Sequence, residues 1–400
     1  MTVQTIGVDR FLDKHTERFV ETSLAIHAKP EIGNEEFFAS AQLTTLLREE
    51  NFEVETAVAG HETAFFAQFD SGKPGPTIAY LAEYDALPGI GHACGHNIIG
   101  TTSVAAAIAL SKELEHTGGK VVVLGTPAEE GGPNGSAKGS FVRHGFLEDV
   151  DVALMAHPSG KTGVTSNSLA VDPLDFKFYG KPAHASGSPE EGINALDAVI
   201  SLFNGISLLR QQLPSDVRVH GIITDGGDAP NIIPEYAAAR FFIRASTWER
   251  TVAVSEKIRN IAKGAALATG ATVEIERFQN EVKDFVITTA LDEIVKGALE
   301  TLGEIVHTAR GGGLGSTDAG NISYEVPTAH PYIKIGDDDL VGHTVPFREA
   351  AKSARGMDAL IIGAKALAKT GYQLLTDTAL LEQVKASHQQ ALDEKAAQSS

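Results

Sequence analysis

Residues 77–97 read TIAYLAEYDALPGIGHACGHN, and this stretch decides the fold. Its first six residues, Thr77–Ala82, form a continuous apolar run, the signature of a strand buried on both faces. Polar residues able to bind metal follow at once: Glu83, Asp85, Cys94 and His96. A buried strand that opens into carboxylate, thiolate and imidazole is the pattern of an α/β sheet whose ligands gather beyond the strands' carboxyl ends. Two more runs downstream repeat it. Lys120–Gly125 leads into Glu129 and Glu130, and Asp151–Ala156 leads into His157. Helical patterns separate them, at Ile98–Glu115 and Phe141–Phe146, so a mostly parallel sheet is expected.

Upstream, two helices are expected over Val8–Ala28, with Phe11, Phe19 and Leu24 on one apolar stripe, and over Asn34–Glu50, separated by Lys29-Pro30. Downstream the pattern changes. Ala170–Tyr179 alternates as a half-exposed strand does. A helix (Ile193–Gln212), strands at Val217–Thr224 and Glu235–Ala245, a helix (Trp248–Ala268) and a strand (Ala271–Phe278) follow. The order β-α-β-β-α-β is that of a ferredoxin-like unit. The expected division is therefore a catalytic domain over 1–166 and 284–400, interrupted by a second domain over 167–283. The first domain resumes with a helix at Thr288–Gly303 and ends in a helix with a polar tail past Ala386.

The chain has 400 residues, 42% hydrophobic and 21% charged, as a soluble globular protein has. Its net charge of −19, from 52 acids and 33 bases, disfavours nucleic acid and anionic membrane as partners. Cys94 is the single cysteine, which fits a reducing cytoplasm. No signal-like or membrane-length apolar run is expected to divert it.

The Gly91–Asn97 block carries the densest chemistry. Thiolate and imidazole two residues apart, with glycines freeing the backbone, can turn toward one ion, and they suit zinc or a similar transition metal. Without other ligands, the same block reads as a helix-initiating loop. In Glu129-Glu130, adjacent carboxylates repel and call for a nearby cation. A metal hydrolase needs one carboxylate to hold an ion and another to take a proton from water. His157 alone is as readily structural. In the second domain, His184 ends a strand, Asn231 follows Gly226-Gly227, and Arg244 ends another strand. His and Asn can stabilise an oxyanion, and Arg can clamp a carboxylate.

Taken together, the chain resembles the aminoacylase/carboxypeptidase-G family of metallopeptidases, in the amidohydrolase branch. That branch holds auxin-conjugate hydrolases, p-aminobenzoyl-glutamate hydrolases and β-alanyl-lysine-type dipeptidases. The resemblance rests on Glu83–Gly89, Gly91–Asn97, Thr126–Gly132, Gly180–Ser186, Asn231–Pro234, Gly315–Asn321 and Gly342-His343-Thr344. It implies two divalent ions, with zinc, manganese and cobalt as candidates, and a lid that also forms a homodimer. Cys94, His96, Glu130, His157 and His343 would be metal ligands. Glu129 would be the general base, Asp85 an orienting carboxylate, and His184 a residue reaching the partner's site. Asn231 would hold the oxyanion and Arg244 the substrate carboxylate. Two positions depart from the wider family: Glu83 stands where many members have His, and Asn97 where many have Asp. The implied reaction is amide cleavage in a small peptide, N-acyl amino acid or p-aminobenzoyl-glutamate-like substrate, by water activated between the ions. The Gly311–Asn321 loop would help shape the pocket. A non-catalytic metal or peptide-binding protein is the alternative, and a zinc deaminase is disfavoured because no Cys-x-x-Cys pair is present.

Overall fold

The computed structural model describes residues 6–309 and 315–398. Among the described residues, the strands in chain order are β1 Glu53–Thr56, β2 Phe65–Asp70, β3 Thr77–Ala82, β4 Lys120–Gly125, β5 Val152–Leu154, β6 His157–Ser159, β7 Ala170–Tyr179, β8 Arg218–Asp225, β9 Tyr236–Ala245, β10 Thr272–Arg277, β11 Thr328–Ala329 and β12 Tyr332–Lys334. They form a six-stranded sheet of order β1-β2-β4-β3-β5-β11, a four-stranded sheet β10-β7-β9-β8, and the pair β12-β6.

In the large sheet, β4-β3, β3-β5 and β5-β11 pair in parallel, and β1 and β2 run antiparallel at one edge. The apolar run of β3 is buried throughout because both faces are covered. Ile78, Tyr80 and Ala82 point into one core with the long helices, among them Ala354–Thr376. Ala79 and Leu81 point into a second core with Phe141 and Ile322. This two-residue period puts helices on both faces. The helix His96–Ser111 is buried at every residue, which is why Ala dominates its sequence.

The second sheet is wholly antiparallel, and the helices Ala195–Leu209 and Trp248–Thr269 pack on one face. Phe176, Leu202, Phe241 and Ile258 lie in a core separate from the other two. The chain enters and leaves this unit side by side, with Val171 bridged to Val282.

Several local expectations shift. The first helix divides at His15 into Ile6–Lys14 and Thr16–Ala28, because His15 leaves helical dihedrals (φ −110°, ψ 13°). Leu24 is exposed, and Thr22, Ser23 and Ile26 take the buried face instead. The helix expected at Phe141–Phe146 starts earlier, over Ala137–Arg143, and buries Lys138 in its first turn. The tail past Ala386 is helical to Gln398, where Gln389–Asp393 and Gln390–Glu394 bonds join successive turns. Among the described residues, no helix is long and apolar enough to cross a membrane.

Candidate metal centre and active-site cavity

Because β3, β4 and β5 are parallel, their carboxyl ends share one edge, and each delivers its polar residues there. Gly95, at φ +80°, lets the backbone turn between Cys94 and His96. A Cβ at that position would stand 2.5 Å from Pro158. Cys94 Sγ lies 3.5 Å from His157 Nε2, and His157 Nδ1 lies 2.7 Å from the carbonyl of the adjoining Pro158. His343 comes from the returning half of the chain. Its N–H donates to the Ala93 carbonyl at 2.9 Å, and its Nε2 stands 3.5 Å from Glu130 Oε1.

Asp85 ties these loops together. Oδ1 sits 2.9 Å from His96 Nδ1, and Oδ2 accepts the Glu130 backbone N–H at 3.0 Å. This fixes the His96 ring with Nε2 facing inward, as a carboxylate behind a metal-ligating histidine does. That Nε2 is buried without a hydrogen-bond partner, and so is Glu130 Oε1, 3.9 Å away. Unpartnered buried nitrogen and carboxylate oxygen facing each other are costly unless a cation completes them. Donor atoms of Cys94, His96 and His157 lie within 4.8 Å of one another, as do those of Cys94, Glu130 and His343, and of His96, Glu129 and Glu130. The thiolate, imidazole and carboxylate set fits divalent transition-metal ions.

Burial, then the charges of Glu83 and Glu130, raises Glu129 well above the ordinary carboxylate range. Burial and the facing His330 hold His157 down at about 3. Burial acts to lower His96, but Cys94 and Asp85 outweigh it and its pKa lies well above the usual value. The Cys94 thiol is pushed up by burial and by Glu130. A bound cation reverses the push on thiol and carboxylates alike.

The centre opens into a cavity of about 430 Å³ lined by Cys94, Glu129, Glu130, His157, Arg244 and His343, among others. Arg244, near the end of β9, also lines it. Its Nη1 donates to Ser316 Oγ at 2.9 Å, while its buried Nε has no partner. His184 and Asn231 do not line this cavity. They lie side by side at the exposed tip of the second unit, where the Ala185 N–H donates to the Asn231 carbonyl. His184 Nδ1 accepts the Gly187 N–H at 3.1 Å, so its proton sits on Nε2 and that nitrogen is a donor to whatever approaches. Of the loop Gly311–Asn321, residues 311–314 lie outside the described residues, and Gly315, Ser316, Thr317 and Asp318 line the cavity.

Three features have no counterpart in the sequence reading. Lys138 is fully buried against Glu83 and Asp318. His330, buried in the cavity wall with an unpartnered Nε2, faces the His157 ring at 5.5 Å. Glu36, also buried, accepts the N–H of Ala128 at 2.9 Å, which holds the residue before Glu129 at φ +55°.

A sheet edge carrying this donor set, with the carboxylate of Glu129 beside it, is that of a metal-dependent hydrolase. Residues 79–371 match the peptidase family M20/M25/M40, and the chain belongs to that family. The chain is 39% identical to the Xaa-Arg dipeptidase of Mus musculus over 96% of its length and 92% of that protein. It is 30% identical to a p-aminobenzoyl-glutamate hydrolase chain of Escherichia coli, covering 96% and 95%. A dinuclear metal-binding peptidase of the M20 family from Bacillus subtilis superposes with TM-score 0.64 at 21% identity, covering 91% of this chain and 99% of that one. An aminobenzoyl-glutamate utilization protein from Klebsiella pneumoniae gives TM-score 0.66 at 20% identity, covering 88% and 98%. The chain is an enzyme, a metal-dependent amidohydrolase, and divalent metal ions are its cofactors.

Proposed function

We propose that the chain cleaves dipeptide-like amides bearing a free carboxylate, with Glu129 as the proton carrier and Arg244 as the carboxylate clamp. The observation that carries this reading is one cavity lined both by the ligand cluster and by Arg244, whose buried Nε is unpartnered. A carboxylate there would complete the guanidinium.

Cys94, His96, Glu130, His157 and His343 would hold two divalent ions, zinc first, with manganese or cobalt able to replace it. When bound, the ions would supply Lewis acidity and lower the pKa of a water. Glu129 would take a proton from the attacking water and later hand it to the leaving amine. Asp85 keeps the His96 ring in register. The oxyanion is held by the His184 Nε2–H and by Asn231, both from a second copy of the chain.

Residues 167–283 act as the lid and dimerisation unit. Support comes from β8, the last strand of the four-stranded sheet, whose Ile222 and Ile223 are 63% and 46% exposed. An apolar edge strand of this kind favours pairing with a like strand. Homodimers are the expected assembly and the cytoplasm the expected location. Two of the relatives carry the name Xaa-Arg dipeptidase, and on that ground dipeptides ending in arginine stand first among candidate substrates.

The test is a panel of dipeptides with C-terminal Arg, Lys or Gly, their C-terminal amides, N-acetyl amino acids and p-aminobenzoyl-glutamate. Free acids should be cleaved and amides spared. Arg244→Ala should raise KM for the acids roughly 10- to 100-fold, the worth of a charge-assisted hydrogen bond. Equal rates on acids and amides contradict the clamp.

A further inference from the structure

Behind the ligand cluster lies a third carboxylate corner. Donor oxygens of Glu83, Glu129 and Asp318 lie within 4.8 Å of one another, close enough to hold an ion. The ammonium of Lys138 already stands there. Its Nζ is 2.5 Å from Glu83 Oε1 and 2.6 Å from Asp318 Oδ1, and the lysine side chain is wholly enclosed. Its backbone N–H also donates to Asp318 Oδ2 at 3.1 Å, so Asp318 is gripped by both ends of one residue. Glu83, with its other oxygen, reaches toward His96 Nε2 at 3.6 Å. Lys138 thus lies one carboxylate away from the ligand set, behind Glu83.

We propose that Lys138 is a built-in cation that occupies this third corner and confines exchangeable metal to the two positions formed by the cysteine, histidine and Glu130 ligands. Three buried carboxylates without a counter-charge are prohibitively costly to leave uncompensated. A lysine supplies the charge on a tether. It cannot dissociate with the metals, and its three donors turn Glu83 and Asp318 away from ligation. Lys138 is a positioning residue here, since it acts through these two carboxylates and touches no reacting atom. The proposal rests on the metal-centre reading above.

The test uses Lys138→Met, which keeps the stem and removes the charge, and the double variant Lys138→Met/Glu83→Gln, which also removes one anion. Full-length proteins are stripped with chelator, reloaded with zinc or manganese, and counted for metal by native mass spectrometry and elemental analysis. Lys138→Met should take up about one more divalent ion per chain than the wild type, and its Tm should rise more on loading. The double variant should return to the wild-type count. A Lys138→Met protein that loads with the wild-type number of ions overturns the proposal, as does one that stays unfolded at saturating metal. A wild-type protein that binds no metal defeats the metal-centre reading itself, and this inference falls with it.

Discussion

The carboxyl edge of the six-stranded sheet and the tip of the four-stranded one hold their histidines in opposite ways. At the sheet edge, His96 is enclosed, its Nδ1 locked by Asp85 and its Nε2 aimed at Glu130. At the tip, His184 is exposed and held only by its own turn, through the Gly187 N–H. The difference separates two kinds of preorganisation. An enclosed, hydrogen-bonded ring can wait for a metal ion in a single chain. An exposed ring with its donor turned outward needs a second surface before it has anything to bind. On the proposed mechanism, one chain would carry its whole ligand set but only part of an oxyanion site.

The contrast between the two regions breaks most sharply at Glu129. Glu129→Gln should keep metal content and fold but lose roughly 10²- to 10⁴-fold in kcat, the range for general acid–base catalysis. Steady-state kinetics beside metal analysis decides it, and near-full turnover in the variant removes Glu129 from the proton transfer. His184→Ala should lower kcat with metal unchanged, and it sharpens the contrast through mixing. In an equimolar mixture with Glu129→Gln, half the exchanged dimers are mixed and one of their two sites is whole. About a quarter of wild-type activity should return. No recovery, in proteins shown to exchange subunits, places His184 outside the partner's site.

The smallest effect concerns the support behind the Glu129 loop. Burial, with Asp85 nearby, raises the Glu36 pKa from 4.5 to about 7. Folded Glu36 keeps its proton where the unfolded chain has released it. The group's contribution to stability is therefore fully present below about pH 4.5 and declines as pH rises toward 7. The decline amounts to about 3 kcal/mol. Glu36→Gln has no proton to lose, so urea titrations should show a flatter profile across that window while activity persists. An unchanged slope contradicts the assignment.

How much the sequence discloses follows from how local each signal is. Thr77–Ala82, Lys120–Gly125 and Ala170–Tyr179 are strands over the residues expected, because burial on two faces or one leaves a direct trace in the pattern. Glu53–Thr56 leaves no such trace, since it is a polar edge strand with three of its four residues exposed and no alternation to detect. Thr328–Ala329 is too short to carry any pattern. At the site, Cys94, His96, Glu129, Glu130 and His157 each follow a recognisable strand. His343 is legible through the family resemblance alone, because its place depends on a backbone bond to Ala93 from far along the chain. Lys138 leaves no trace, because its partners lie 55 and 180 residues away and a lone lysine normally marks a surface. Glu36 is likewise 92 residues from the N–H it holds.

On the proposed mechanism, divalent ions held by Cys94, His96, Glu130, His157 and His343 at the sheet edge would drive amide cleavage. The most direct measurement is metal content and dipeptide hydrolysis on one preparation, before chelation, after it, and after reloading. About two divalent ions per chain are predicted, with activity lost when they leave and restored when they return. Cleavage that persists after complete metal removal, or an active protein that never binds more than one ion, contradicts it.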